Sequence, residues 1–293
     1  MNKASLKLAF LFVISLSLVQ LVSAGDWPVI FHVYRGSTPV IDGNVSPGEY
    51  DDASTINRYC QWMSQFSSVL DTNDLFIKVW AKHDGNNLFF AFKVNDDILY
   101  AIDTPRWLPD ENPNAHDFTL NFWPWFGDGV ELCINADNMW STKDNTYNTG
   151  DGRSWQIVCN LTKSLIGGLG KGGLIQGEQR DNPVAWPNYE KWIRSGAMKA
   201  VAKPNPRRKG YIIEWMVKPN PCLEVSPRKF WNPSMGTVRM GLNIGVQDLD
   251  EKEKGKGNFG NFHHEQWWAG EKDKRTWPKQ WGTMVVHPGY KSG

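Results

Sequence analysis

Two tryptophans and a glutamate stand close together in the middle of the chain, within the segment 122–135. Trp123 and Trp125 precede a Gly-Asp-Gly turn, and Glu131 follows that turn. The apolar C–H face of a sugar ring packs well on an indole, and its hydroxyls need a few well-placed polar groups. These residue types at this spacing therefore indicate a carbohydrate-binding site. The alternative is that both tryptophans pack in the core or at its rim, and that Glu131 is a solvated strand residue.

The segment that contains Glu131 alternates between apolar and other residues, as a strand with one buried face does. Val130, Leu132 and Ile134 would share one face of such a strand, and Glu131 and Cys133 would share the other. The pattern predicts a strand whose aliphatic side chains face the core, with the carboxylate on the opposite face.

Short segments of strand length, separated by turn residues, recur along the chain, and no segment shows a sustained helical stripe with caps. The segment Asp84–Asn87 (Asp-Gly-Asn-Asn) predicts a tight hairpin turn. The predicted strands are a short one at Val40, then 75–81, 88–94, 130–134, 154–160, 197–203, 211–217, 238–247, 266–268 and 281–286. We therefore expect an all-β protein, a single antiparallel β-sandwich of immunoglobulin-like or jelly-roll-like type with long Trp-rich loops, over residues 25–293.

The first 24 residues have the composition of a secretory signal peptide. Lys3 and Lys7 form a basic start, residues 8–22 are almost unbroken apolar, and Val22-Ser23-Ala24 is a small-residue cleavage signal. No later stretch is apolar enough to span a bilayer. The sequence predicts that residues 25–293 are exported as a secreted, extracellular protein.

The charge of the exported chain is close to zero. The 32 Lys and Arg residues fall to 30 without Lys3 and Lys7, against 31 Asp and Glu, so the net charge moves from +1 to −1. Such a chain has no electrostatic basis for binding nucleic acid or an anionic membrane. We expect a neutral ligand, or one recognised by shape and hydrogen bonds. The sequence predicts no oligomeric state.

Four cysteines remain in the exported chain, Cys60, Cys133, Cys159 and Cys222. An even number in an exported protein indicates disulfides, and four cysteines allow three connectivities. We expect a Cys133–Cys159 bridge between two predicted strands, and Cys60–Cys222 as the second bridge. Asn160, in Asn-Leu-Thr, fits the glycosylation pattern, which applies only in a eukaryote.

The chain contains 16 tryptophans, and several of them stand in segments rich in Pro, Gly and Asn. Tryptophan in a loop is typical of a ligand surface. The alternative is that long loops on a large sandwich need bulky side chains to pack.

Two further residues, Asp96 and Asp97, follow a predicted strand, where adjacent carboxylates and loop carbonyls can bind calcium. The alternative for this pair is a solvated turn.

The order of several short motifs resembles that of family 9 carbohydrate-binding modules, over nearly all of residues 25–293. The motifs are the hairpin arm 88–97, Asp-Gly-Val-Glu at 128–131, Gly-Tyr-Ile-Ile-Glu at 210–214, Gly-Leu-Asn-Ile-Gly-Val-Gln-Asp at 241–248 and the terminal Trp-Gly at 281–282. The resemblance implies a non-catalytic β-sandwich that binds chain ends of plant polysaccharides such as cellulose and xylan. It also implies structural calcium and no other cofactor.

The resemblance assigns roles to several residues. It implies that a terminal disaccharide lies between two tryptophans, of which Trp125 is the first, six residues before Glu131. The second is Trp277 in the last loop, with Trp267 or Trp268 as alternatives. The family arginine falls near Gln156, with Arg153 as the nearest basic residue. Asp96 or Asp97 resembles an aspartate of the calcium loop.

Two other functions remain open at this point. A glycoside hydrolase or polysaccharide lyase needs a second carboxylate beside Glu131, and no strand motif supplies one. The segment His263-His264-Glu265 lacks the spacing of a zinc hydrolase. A haem-binding DOMON-type electron-transfer domain shares the sandwich and needs an axial His and Met, for which Met216, Met240 and Met284 are candidates.

Overall fold

The computed structural model describes residues 29–56, 61–62, 75–99, 128–135, 154–160, 175–176, 196, 198–205, 210–218, 236–249, 263–269 and 281–292. Within these residues every regular element is a β-strand, which confirms the predicted all-β class. These described residues contain no helix with the length and apolarity needed to cross a membrane.

The described strands, in chain order, are β1 (Ile30–Arg35), β2 (Ser54–Ile56), β3 (Gln61–Trp62), β4 (Leu75–His83), β5 (Leu88–Asp96), β6 (Gly129–Asn135), β7 (Ser154–Asn160), β8 (Ile175–Gln176), β9 (Met198–Pro204), β10 (Tyr211–Val217), β11 (Val238–Leu249), β12 (His263–Trp267) and β13 (Gly282–Tyr290). All of them belong to one hydrogen-bonded sheet with the order β8-β7-β6-β11-β13-β1-β4-β5-β10-β9. The strand β12 pairs with β11 and β3, and β2 pairs with β4.

The sheet curls so that one face of its strands surrounds a common core. That core takes buried residues from both halves of the strand order, for example Val33 of β1, Phe90 of β5 and Leu132 of β6. The Tyr211 hydroxyl on β10 lies 3.2 Å from the Gly129 carbonyl oxygen and so reaches across the core to β6. The two halves therefore pack face to face, as in a β-sandwich.

The strand β5 is buried on both faces, which explains its nearly continuous apolar sequence. Phe90 faces the common core, while Phe89 packs against Ile41 on the other face. Ala91 packs on that same outer face against Tyr50. The segment between β1 and β2 therefore covers the outside of β5.

Glu214 of β10 anchors this covering segment. Its carboxylate accepts hydrogen bonds from the backbone N–H groups of Asp42 and Gly43, at 2.9 and 2.7 Å, and from the Tyr50 hydroxyl at 2.8 Å. Burial raises the pKa of Glu214, and burial together with the nearby Glu214 charge raises that of Tyr50. Because these buried donors need an acceptor, Glu214 fixes the turn to the sheet.

An ion pair between buried Lys82 and partly exposed Asp52 holds the same segment at a second point. The Lys82 ammonium on β4 is fully buried and lies 2.8 Å from Asp52. Ser37 donates to the same carboxylate from its backbone N–H at 2.6 Å. Although burial raises the pKa of Asp52, the hydrogen bonds from Lys82 and Ser37 lower it below its ordinary value overall.

The short strand predicted at Val40 is wrong, because Val40 lies in the covering segment. Pro39 has no N–H to donate to a ladder, and the Val40 N–H instead donates to the Glu49 side chain at 2.8 Å. The first strand of the sheet is β1, which lies parallel to both β13 and β4. The remaining pairings among the described strands are antiparallel.

The predicted Cys133–Cys159 disulfide is also wrong, since no bridge joins these two described cysteines. The register of β6 and β7 places Cys159 opposite Val130, three positions from Cys133. Odd spacing puts the two thiols on opposite faces of the sheet. Burial raises the pKa of the Cys159 thiol to about 12. Cys60 and Cys222, the other predicted bridge, lie outside the described residues.

The methionines considered as haem ligands lie in apolar surroundings. Met240 and Met284 are opposite each other in the register of β11 and β13, and both are fully buried in the common core. Met216 packs against the smaller cluster of Ile41 and Phe89. All three act as packing residues of the sheet.

Candidate functional site

The face of β6 and β11 that points away from the common core carries a row of polar side chains, which we call the polar face. It consists of Glu131 and Cys133 on β6 and of Asn243, Gly245 and Gln247 on β11. The register pairs Cys133 with Asn243 and Glu131 with Gly245, so that alternate residues of both strands share this face. Val130, Leu132 and Ile134 belong to the common core, which confirms the predicted orientation of the Glu131 strand.

Glu131 is held by the neighbouring strand. The Gln247 side-chain amide donates a hydrogen bond of 2.6 Å to Glu131 Oε1. Glu131 is 3% exposed and Gln247 is 1% exposed, so that the bond is shielded from water. A buried bond to a carboxylate fixes the orientation of both side chains. The carboxylate and the amide therefore form a preorganised pair of hydrogen-bonding groups.

Trp267 of β12 lies against the polar face. A Cβ at Gly245 would come within 2.7 Å of its indole, so the ring crosses β11 where there is no side chain. Trp267 clusters with Cys133 and Trp281 and is 1% exposed. Because Gly245 is directly opposite Glu131, this places an indole one strand away from the carboxylate.

Trp268, the other sequence-based alternative for the second stacking residue, points the opposite way. Its ring packs edge-on to Phe31 in the common core, at 6.2 Å between centroids, and lies where a Cβ on Gly282 would stand. The Asn243 amide exchanges two hydrogen bonds of 2.9 Å with the backbone of Ala269. These bonds hold the end of β12, so that Trp267 and Trp268 stay on opposite faces.

A second group of polar residues gathers three carboxylates. Asp96 ends β5, Asp128 precedes β6, and Asp248 lies near the end of β11. One carboxylate oxygen from each lies within 4.8 Å of the others, and all three side chains are buried. Like charges at this spacing repel one another, and their burial adds a desolvation cost unless a cation or protons compensate.

The residues present fit a calcium ion. Calcium binds carboxylate and backbone carbonyl oxygens in a flexible shell, and the three aspartates offer oxygen alone. Asp96 is thus brought into the cluster, and its Oδ1 also accepts from the Ile98 N–H at 2.9 Å. Asp97 is exposed and lies outside the cluster, although both residues were equivalent candidates from the sequence alone.

Several predicted site residues lie outside the described part of the chain, namely Trp123, Trp125, Arg153 and Trp277. For two other predicted site residues, Gln156 and Asn160, the structure describes the backbone position only. Gln156 of β7 is opposite Cys133 in the register, and Asn160 is opposite Gly129.

Sequence reasoning missed Gln247, Asp128 and Asp248 as site residues. A signal for Gln247 was present, because Asn243 and Gln247 are four positions apart and so share one face of the otherwise apolar strand β11. Asp128 precedes β6 and Asp248 lies near the end of β11. These strands are far apart in the sequence, and only their pairing brings the two residues together.

No protein-family model matches the sequence, and no curated protein matches it. The structure is similar to that of a family 9 carbohydrate-binding module from Caldicellulosiruptor kristjanssonii in complex with glucose. The identity is 15% and the TM-score 0.51, over 90% of this chain and 98% of the module. A structure described as that module in complex with cellotriose gives 15% identity and a TM-score of 0.49, over 90% and 95% of the two chains.

A putative carbohydrate-binding protein from Bacteroides uniformis gives 11% identity and a TM-score of 0.49, over 88% of this chain and 99% of that one. At these identities the likeness concerns the fold. The chain has the β-sandwich fold of family 9 carbohydrate-binding modules.

Proposed function

We propose that this protein is a secreted, non-catalytic carbohydrate-binding protein that holds the end of a polysaccharide or oligosaccharide of cellulose or xylan type. The observation that carries the proposal is the Glu131–Gln247 pair, fixed by a 2.6 Å hydrogen bond beside the Trp267 indole. Sugar hydroxyls both donate and accept, and a carboxylate beside an amide offers both kinds of partner.

The fold supports the same function. The module from Caldicellulosiruptor kristjanssonii binds glucose, and this chain shares its architecture over most of the length of both. We propose that the sugar ring stacks between Trp125 and Trp277, with Trp123 beside them, while Glu131, oriented by the buried Gln247, accepts a hydrogen bond from a hydroxyl. Gln156, opposite Cys133 in the register of β6 and β7, and Arg153 are proposed as further hydrogen-bonding partners of the sugar.

We propose two further properties. Residues 1–24 act as a signal peptide that directs export, and a calcium ion at Asp96, Asp128 and Asp248 stabilises the sandwich. The calcium would balance the charge of three buried carboxylates and join β5 to β6 and β11. The sugar is expected to bind without any catalytic cofactor.

Calorimetric titration of the exported chain with cellobiose, xylobiose and their reduced alditols tests the function. We expect heat from at least one disaccharide and none from its alditol, because reduction opens the ring that the chain end presents. Glu131→Gln should weaken binding by about 2 kcal/mol, which is the cost of replacing one buried charged acceptor by an amide.

Two aromatic variants locate the stacking surface. Trp125→Ala and Trp277→Ala should abolish the heat, while Tyr290→Ala should leave it unchanged. Tyr290 is a matched control because it is an aromatic side chain, 69% exposed, at the end of β13. Absence of heat with every sugar would refute the proposal. Release of reducing ends from glycans, lost in Glu131→Gln, would show a hydrolase instead.

A further inference from the structure

Two histidines meet on the outer surface of the sheet, on strands that the proposed sugar site does not use. His32 is an exposed residue of β1, and His287 is a half-buried residue of β13. The two strands lie side by side in parallel, with His32 opposite Val285. The two imidazoles therefore lie over the outer face of the sheet, which is open to solvent at His32.

The two rings meet through their nitrogens. His32 Nδ1 lies 2.8 Å from His287 Nε2, the ring centroids are 5.1 Å apart, and the ring planes differ by 17°. A 2.8 Å contact at this centroid distance requires both nitrogens to lie on the line between the ring centres. The rings are thus edge to edge in nearly one plane, so that each nitrogen directs its lone pair or its proton at the other.

His287 is held at two points, by its ring and by its backbone carbonyl group. The Tyr34 ring stacks on it with 4.5 Å between centroids and 8° between planes. His83 Nε2 lies 2.6 Å from the His287 carbonyl oxygen, and the Gly85 N–H donates to His83 Nδ1 at 3.1 Å. Because Nδ1 accepts a bond, Nε2 carries the proton and donates it to the carbonyl oxygen. His83 is thus a positioning residue for His287.

We propose that His32 Nδ1 and His287 Nε2 form a binding site for a divalent transition-metal ion, with Cu²⁺ as the preferred ion. A tetragonal Cu²⁺ with bonds of about 2.0 Å places neighbouring ligands about 2.8 Å apart, which is the separation observed here. Because the two nitrogens face each other along the N–N line, each ring must turn by about 45° to direct its lone pair at one ion. A turn within the ring plane keeps the stacking of Tyr34 on His287. Water completes the coordination shell on the open side.

Binding of the metal ion to two neutral imidazoles requires no proton donor or acceptor besides the two rings. Each neutral imidazole carries one proton, and in the metal-bound form these lie on the outer nitrogens, His32 Nε2 and His287 Nδ1. Burial and the neighbouring His32 lower the pKa of His287, which favours the neutral form that binds metals. Arg35 is three residues from His32 on β1, and Arg239 of β11 is opposite Val285 of β13, so raising the ionic strength should strengthen binding of the cation.

Calorimetric titration of the exported chain with Cu²⁺ tests the site, with calcium present in excess to occupy the aspartate cluster. We expect His32→Gln and His287→Gln each to lower the Cu²⁺ affinity by on the order of a hundredfold. The double variant should lose no more than either single variant, since both residues serve one ion. His264→Gln, on β12, is the matched control and should retain the wild-type affinity.

Electron paramagnetic resonance of the Cu²⁺-loaded wild-type protein gives a measurement that does not depend on the variants folding. Two coordinated imidazole nitrogens are expected in the spectrum, and one at most in either single variant. Ni²⁺ and Zn²⁺ should bind more weakly than Cu²⁺, and Mg²⁺ should not compete. Equal Cu²⁺ affinity in wild type and both single variants, or a spectrum without two nitrogens, would overturn the proposal.

Discussion

At the scale of single residues, His83 is a buried titratable group whose hydrogen bonds define its protonation. Burial lowers the pKa of His83, and the hydrogen bond to the His287 carbonyl oxygen, which acts in the opposite direction, does not restore it. The pKa of an unfolded histidine is about 6.5. Just below that pH the unfolded state binds more protons than the folded state, so the stability that His83 contributes is lost as the pH falls.

We therefore predict that the His83→Gln variant loses less stability than the wild type when the pH is lowered from about 7.5 to about 5.5. Glutamine keeps one donor and one acceptor but does not titrate. Thermal melts of both proteins across this range measure the slope. The aspartates titrate in both proteins alike, so the difference between the two profiles reports His83. Parallel profiles would contradict this account.

The alternation of residues along a strand predicted correctly on which face a side chain lies. It did not predict which residue of the partner strand lies opposite. Alternation placed Glu131 opposite the aliphatic side chains, and the structure confirms it. Alternation could not show that Cys159 lies opposite Val130, because register depends on the partner strand. The same limit made Asp96 and Asp97 look equivalent, although only the former reaches Asp128 and Asp248.

At the scale of elements, the contact between β11 and β12 depends on a glycine, because the Trp267 indole occupies the space where a side chain at Gly245 would lie. Gly245→Ala would put a Cβ 2.7 Å from the Trp267 indole, which is closer than real contacts allow. We predict a loss of about 1–3 kcal/mol in the free energy of unfolding, the usual cost of overpacking. Because Gly245 is opposite Glu131, sugar binding should weaken as well.

Urea denaturation and sugar titration of Gly245→Ala measure the two effects. Gly289→Ala is the matched control, because a Cβ at Gly289 meets nothing within 4 Å. It should change neither stability nor binding. If Gly245→Ala were as stable as Gly289→Ala, the indole would not be fixed by β11 as the geometry indicates.

Sequence reasoning was most accurate for strands whose side-chain pattern can be recognised from the segment itself, without reference to a partner strand. The bounds predicted for β7 and β10 are those observed, and the hairpin turn between β4 and β5 closes with an Asp84 N–H to Asn87 carbonyl bond of 3.3 Å. The strand β1 was missed, because its outer face carries His32 and Tyr34 in place of a simple polar alternation.

At the scale of the whole molecule, the sequence predicted an all-β sandwich but could not order its strands. Neighbours such as β6 and β11 are separated by about a hundred residues of chain, and loop closure costs change only slowly with length. The parallel placement of β1 between β13 and β4 joins the two ends of the chain in one sheet. Chain order carries little information about such pairings.

The proposed calcium site depends on the curling of this sheet, because Asp96 lies on β5 while Asp128 and Asp248 belong to the other half of the strand order. An ion that binds the folded state alone stabilises it by about 2.7 kcal/mol at a hundred times its dissociation constant. We predict that calcium raises the melting temperature by about 5–10 °C over a chelated sample. Differential scanning calorimetry with calcium and with chelator measures this shift.

Two variants separate the site from general effects of salt. Asp248→Asn removes one ligand charge, so its melting temperature should no longer respond to calcium. Asp97→Asn makes the same chemical change at the exposed neighbour of Asp96 and should keep the full response. Magnesium should not replace calcium, because it requires a stricter octahedral shell and gives up its water reluctantly. Equal melting temperatures of the wild type with calcium and with chelator would show that protons, rather than a cation, balance the three carboxylates.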